Sequence, residues 1–186
     1  MSFDPNGEGL NVFALVIYVP DPLGRFLDDL RRELVPHDNP HAHVSVLPPR
    51  PLEVEWQSAS SQTRMLVEAW PPFDVELTTV EVFPATDVIY LEVGSGAAEL
   101  RLMHDAISTR DLQCLEPFPY HPHITLAQDI AHDNVPALHE RAGRRWREFP
   151  GSRSFRVERA VFVQHTKAGR WLDLAEYNLG LMAAKL

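Results

Sequence analysis

His41-Ala42-His43-Val44-Ser45-Val46 and His121-Pro122-His123-Ile124-Thr125-Leu126 carry one pattern twice, eighty residues apart: His-x-His, a β-branched residue, a hydroxyl residue and an aliphatic. Side chains alternate faces along an extended strand, so His43 shares a face with Ser45, and His123 with Thr125. An imidazole near neutral pH accepts a proton in one form and donates it in the other. A hydroxyl beside it donates to a phosphate oxygen as charge builds there. Two such pairs facing each other supply a base, an acid and two anion contacts, which is what cleaving a phosphodiester requires, with no metal in the reaction. His43 and His123 are therefore the expected catalytic residues and Ser45 and Thr125 the expected phosphate-binding ones, with His41 and His121 supporting them from behind. A single His-x-Ser or His-x-Thr is a weak signal; two copies in corresponding strands are a strong one.

The elements that must position these strands follow from periodicity and turn residues. A buried strand over 12–19 closes at Pro20. Asp21 and Pro22 suit the N-cap and first position of a helix whose apolar side carries Leu23, Phe26, Leu27, Leu30 and Leu34. Pro36 to Pro40 is a loop, and the first histidine strand, 42–47, ends in Pro48-Pro49. A helix over 56–70 and a strand over 74–83 complete the first series. The same order returns as a strand at 88–93, a helix at 97–112, a Pro-broken loop at 116–120, the second histidine strand at 122–127 and a helix at 133–147. A strand at 155–164 then precedes a last strand at 171–177. The repeated order implies duplication of one α+β unit. We expect a single bilobal domain over 1–186, built from similar halves at about 12–84 and 88–178 about a pseudo-twofold axis.

Composition bounds the partners. The chain has 186 residues, 45% of them hydrophobic, enough for one core. A net charge of −9 argues against a duplex nucleic-acid binder, whose affinity comes from neutralising phosphates. Residues 141–159 nonetheless hold seven arginines against Glu148 and Glu158, a local excess that steers an anion or presents a solvated face. Cys114 is the single cysteine, which excludes an internal disulfide and fits a reducing compartment. The start of the chain lacks a basic secretory signature, and the longest apolar run, Val12 to Val19, is too short to span a bilayer. The expectation is a cytoplasmic, monomeric protein with no membrane partner.

The two motifs resemble those of the two-histidine phosphoesterases, and within them the 2′-5′ RNA ligase-like and RNA 2′,3′-cyclic phosphodiesterase branch. His43-Val44-Ser45 matches the first motif. Tyr120-His121-Pro122-His123-Ile124-Thr125-Leu126-Ala127 closely resembles the second. The resemblance implies a bilobal, duplicated α+β fold, LigT-like, in which two antiparallel sheets line a central cleft and the helices lie outside. It also implies action without a cofactor on 2′,3′-cyclic phosphates or 2′-5′ linkages of RNA ends or small nucleotides. One position departs from the pattern: many relatives carry arginine three residues past the second hydroxyl, where this chain has Gln128. An amide does not neutralise phosphate as a guanidinium does. Arg50, just beyond Pro48-Pro49, is a candidate source of the missing charge, and Phe118 and Tyr120 are candidate base-stacking contacts.

Two readings from other classes compete. The His-x-His pairs suit a metal, with Asp38 or Asp129 as a further ligand in a metal-dependent hydrolase. A non-catalytic nucleotide-binding or RNA-binding module that kept the fold is the other, with Trp56, Phe118 and Tyr120 as stacking aromatics.

Overall fold

The computed structural model describes residues 9–37 and 41–181. Strand β1 (Gly9–Tyr18) is buried on both faces: Phe13, Leu15 and Ile17 enter the main core, while Ala14 and Val16 pack with Val161 and Val163 on the opposite side. Helix α1 (Leu23–Leu34) turns Leu23, Leu27, Leu30 and Leu34 inward. Its first turn is capped by the Asp21 carboxylate, which accepts the Arg25 backbone N–H at 3.0 Å. Then come β2 (His43–Arg50), α2 (Trp56–Ala69), β3 (Phe73–Phe83), β4 (Val88–Val93), α3 (Ala97–Ile107), β5 (His123–Ala127), α4 (Val135–Glu148), β6 (Ser154–Val157), β7 (Arg159–Thr166) and β8 (Trp171–Asn178). Among the described residues, no helix is long and apolar enough to cross a membrane.

The strands form two four-stranded antiparallel sheets, ordered β2-β1-β7-β8 and β5-β4-β3-β6. The sheets do not coincide with the two halves of the sequence. β3, from the first half, pairs with β4, and β7 and β8, from the second half, complete the sheet of β1 and β2. The helices cross over as well: α1 packs on β5 and α3 on β2. Each lobe thus depends on the other for strands and for cover.

Three expected boundaries differ. The strand expected over 155–164 is two strands in different sheets, broken at Glu158, whose carbonyl accepts the Leu179 N–H instead. The burial pattern marks the break: Phe155 and Val157 are inward on odd positions, whereas Ala160 and Phe162 carry the core on even ones. α3 ends at Ile107, and Leu112 reaches the core from a short 3-10 turn at Arg110–Leu112. β2 runs through Pro48-Pro49 to Arg50, with an irregular register against β1. Proline is tolerated there because β2 is a sheet edge, where missing N–H groups break no ladder.

Candidate active site

Both motif strands are the outer strands of their sheets, and β2 and β5 contact each other where the lobes meet. Each carries a bulge immediately after its hydroxyl residue. On β1, Leu15 faces Leu47 and Val16 faces Ser45, so Val46 has no partner; on β4, Ile89 faces Ala127 and Tyr90 faces Thr125, so Leu126 has none. A bulge re-aims the side chains beside it. Val46 and Leu126 are fully buried, which anchors each bulge in the core and leaves His43, Ser45, His123 and Thr125 partly exposed on the opposite face of their strands.

The two histidines are held alike. Nδ1 of His43 lies 2.7 Å from the His41 carbonyl oxygen, and Nδ1 of His123 lies 2.7 Å from that of His121. A carbonyl only accepts, so Nδ1 bears a hydrogen in each ring and Nε2 is the atom free to take or give a proton. Among the described residues, neither Nε2 has a hydrogen-bond partner, and neither do the hydroxyls of Ser45 and Thr125. Burial holds His43 down at about 4; the bond to the His41 carbonyl opposes it, and positive charge on Arg31, His41 and His123 adds to it. Burial also lowers His123; the bond to the His121 carbonyl opposes it, the charge on the His121 ring adds to it, and the Glu92 carboxylate acts against it.

Aromatic rings and carboxylates back each histidine. Tyr18, opposite His43 in the register, stands edge-on to it at 6.3 Å between ring centroids and stacks on His41 at 3.6 Å. The Tyr18 hydroxyl donates to Asp173 at 2.6 Å; burial first, then that carboxylate, raises its pKa. On the other side Phe83 stacks on Tyr90 at 3.9 Å, and both meet His123 edge-on at 5.0 and 5.4 Å. Glu92, opposite His123 in the register, lies 2.8 Å from Nε2 of His121. His41 and His121 thus pack behind His43 and His123, His121 through Glu92 and His41 through Tyr18. The motifs alone do not point to Tyr18, Phe83, Tyr90, Glu92 or Asp173, although the alternation Val88, Tyr90, Glu92 already put a hydroxyl and a carboxylate on one face of β4.

Other expected contacts lie elsewhere. Arg50 does not face the junction: it is 2% exposed, donates to the Pro48 and Leu112 carbonyls and to the Ser108 hydroxyl, and pairs with Glu116. Four of its five N–H groups are consumed in the protein, so it does not supply the charge that Gln128 lacks. Tyr120 is likewise no open stacking surface. Its ring lies on His104 at 4.0 Å, 3° from parallel, and its hydroxyl donates to the Ser45 carbonyl at 2.8 Å. Phe118, 55% exposed, and Gln128, exposed, are free of such ties. Trp56 packs against the core, its indole N–H buried without a partner among the described residues. Asp38 lies outside the described residues, Asp129 sits at φ 55° on the surface, and no three His, Cys, Asp or Glu side chains gather as a ligand set among the described residues. Two concavities of about 420 Å³, one beside Phe13, Leu52 and Gln164 and one beside Leu34, Ile130 and Arg141, contain neither motif.

The basic run is mostly spent locally. Arg145 pairs with Glu33, Arg156 with Asp74 and Glu158, and Arg159 with Glu176, while Arg153 lies over the Trp146 ring. Arg141, Arg144, Arg147 and Arg153 have no ion pair to a described residue, and of these Arg153 is tied instead to the Trp146 ring and carbonyl.

The burial of Arg50 carries a stability prediction. Arg50→Met removes one partner of a nearly buried ion pair and leaves Glu116 and the Leu112 carbonyl uncompensated. It should lower the free energy of unfolding by on the order of 3 kcal/mol in a urea titration; a change below about 0.5 kcal/mol, the range of ordinary surface substitutions, would contradict the structural role.

Comparison with known proteins agrees with this architecture. A family model described as the 2′-5′ RNA ligase superfamily matches residues 19–169. A curated RNA 2′,3′-cyclic phosphodiesterase of Aeropyrum pernix is 38% identical over 73 residues, which is 36% of this chain and 41% of that protein, so the match spans less than half of the relative. Among solved structures, E. coli LigT in apo form superposes with a TM-score of 0.62 at 15% identity, covering 91% of this chain and 98% of that one. E. coli LigT complexed with 3′-AMP gives 0.58 at 16% identity, covering 90% and 97%. The likeness to LigT is one of fold, and with the family model matching most of its length, this chain belongs to the 2′-5′ RNA ligase superfamily, the two-histidine phosphoesterases.

Proposed function

We propose that this protein is a metal-independent phosphoesterase that hydrolyses a 2′,3′-cyclic phosphate or a 2′-5′ phosphodiester, on an RNA end or a small nucleotide, by acid–base catalysis between His43 and His123. One observation carries the reading: two histidines on adjoining edge strands, each anchored through Nδ1 to the carbonyl two residues before it, each presenting a free Nε2 beside an unpartnered hydroxyl. Family membership supports it, as do the name of the Aeropyrum relative and the 3′-AMP complex of LigT.

In the reaction, Nε2 of the neutral histidine takes a proton from water as its oxygen forms a bond to phosphorus. The bond from phosphorus to one ribose oxygen breaks, and that oxygen takes a proton from Nε2 of the protonated histidine. Each ring lies in a partly apolar setting, His123 beside Phe83 and Tyr90 and His43 beside Tyr18, where an imidazolium is costly until a phosphate sits against it. Substrate binding therefore loads the acid. Ser45 Oγ and Thr125 Oγ donate to the non-bridging oxygens as charge builds on them.

The test is direct. Purified protein is incubated in excess EDTA with 2′,3′-cyclic mononucleotides, 2′-5′-linked dinucleotides and a short RNA with a cyclic phosphate end, and products are identified by mass. Formation of a phosphomonoester in chelator is expected. No turnover across the panel would favour a binding module, and loss of activity in EDTA with return on adding zinc or manganese would favour the metal-dependent hydrolase.

A further inference from the structure

β2 has β1 on one side only, and a bulge at Val46 takes further backbone groups out of the ladder. Its outward carbonyls are not left to water. The Ser45 carbonyl accepts from the Tyr120 hydroxyl at 2.8 Å, that of Val46 lies 2.8 Å from Nδ1 of His104, and that of Pro48 accepts from Nε of Arg50 at 3.0 Å. A carbonyl accepts only, so His104 donates from Nδ1. Tyr120 and His104 stack face to face, and Arg50 is in turn clasped by the Leu112 carbonyl and by Glu116. Every one of these partners except Arg50 belongs to α3 or to the segment 112–120 that leads into β5. The chain that delivers His123 to the junction is thus fastened to the strand that carries His43 and Ser45.

We infer that Tyr120 is a positioning residue for the reaction: its hydroxyl, by holding the Ser45 carbonyl across the junction between lobes, sets where the Ser45 hydroxyl meets the phosphate. The backbone at Ser45 stands between two anchors, the Val16 register on one side and Tyr120 on the other. Without the outer anchor, an edge residue next to a bulge is free to rotate. The first motif has no matching strut from the same half of the chain; it borrows one from the second, so the two motifs are set relative to each other by side chains and not only by lobe packing. Tyr120 touches neither catalytic ring, and its ring, stacked on His104, stays in place when the hydroxyl is removed.

The inference rests on the proposed hydrolysis, and a double-mutant cycle with a 2′,3′-cyclic mononucleotide separates the two. Tyr120→Phe should lower kcat by about tenfold, the worth of one well-placed hydrogen bond, with KM little changed and the pH profile unmoved. In a Ser45→Ala background the same substitution should cost less than about twofold, because its effect runs through the missing hydroxyl. A merely structural tyrosine would lower the melting temperature and cost the same factor in both backgrounds, and that additivity, or no loss from Tyr120→Phe at all, overturns the assignment. His104→Leu, which removes the Val46 bond and the stack, is the second arm should Tyr120→Phe prove insoluble, and the same non-additivity with Ser45→Ala is expected. If the unaltered protein turns over no substrate, the proposed reaction fails and this role falls with it; if it turns over substrate and Ser45→Ala is impaired while the cycle is additive, only the role of Tyr120 fails.

Discussion

His43→Ala and His123→Ala should each lower kcat/KM for a 2′,3′-cyclic nucleotide by about 10²–10⁴-fold, with the folded state intact. Each imidazole is part buried yet tied to the protein by one hydrogen bond to a carbonyl two residues away, so its removal leaves little unsatisfied. The proposed reaction, by contrast, loses the group that would move a proton on that side. The double variant should be scarcely worse than either single one, because an acid without its base does little, and residues that act as a unit are not additive. Ser45→Ala and Thr125→Ala should cost less, roughly 10–10³-fold each, since each removes one donor to an oxygen that the other still contacts. Folded His123→Ala protein retaining full activity on the substrate panel would end the two-histidine assignment.

The pH dependence should be displaced toward acid. One ring must be neutral and the other charged, so kcat/KM is bell-shaped with limbs set by the free pair. Burial holds His43 at about 4 and lowers His123 below its ordinary 6.5. The maximum should therefore lie between about 4 and 6.5 and fall about tenfold per pH unit on the alkaline side, where the proton to be donated is absent. Initial rates at low substrate across pH 4 to 9 measure it, and a maximum at or above pH 7.5 would contradict the electrostatics described here. Stability runs the other way. Both histidines bind a proton more weakly folded than unfolded, so between 6.5 and about 4 the unfolded chain holds more protons and stability is lost as pH falls through that window. The working range should therefore be bounded by catalysis on the alkaline side and by folding on the acid side.

Most of the element order was legible in the sequence because its signals are local. Period-two alternation around His43-Val44-Ser45 and His123-Ile124-Thr125 makes strands whatever surrounds them, and leucines at helical spacing after Asp21-Pro22 make α1. The boundaries that moved were those where tertiary pairing overrode a local signal or where no local signal marked the change. Pro48-Pro49 reads as a strand end, yet an edge strand needs no N–H groups on its open side, so β2 continues. Residues 155–164 read as one strand because Phe155, Val157, Val161, Phe162 and Val163 suit a sheet and no Gly or Pro interrupts them; the change of inward parity at Glu158 marks the crossing between lobes.

The sequence by itself determined which side chains share a face on each motif strand, since backbone alternation dictates that, and hence the chemistry that the pair can do. Only the tertiary structure decided that the two faces adjoin, because this depends on β3 and β7 each entering the sheet of the other half and on α1 and α3 crossing over to cover β5 and β2. It also decided the fate of the polar residues nearby. Arg50 and Tyr120 look in sequence like groups free to meet a substrate, but an edge strand with a bulge leaves carbonyls that must be paired when buried, and these two side chains, with His104, are the donors within reach. Charge type and spacing are properties of the chain, whereas a side chain's unspent hydrogen-bonding capacity is a property of its neighbours, and that capacity separates Ser45, Thr125 and the two Nε2 atoms from the rest.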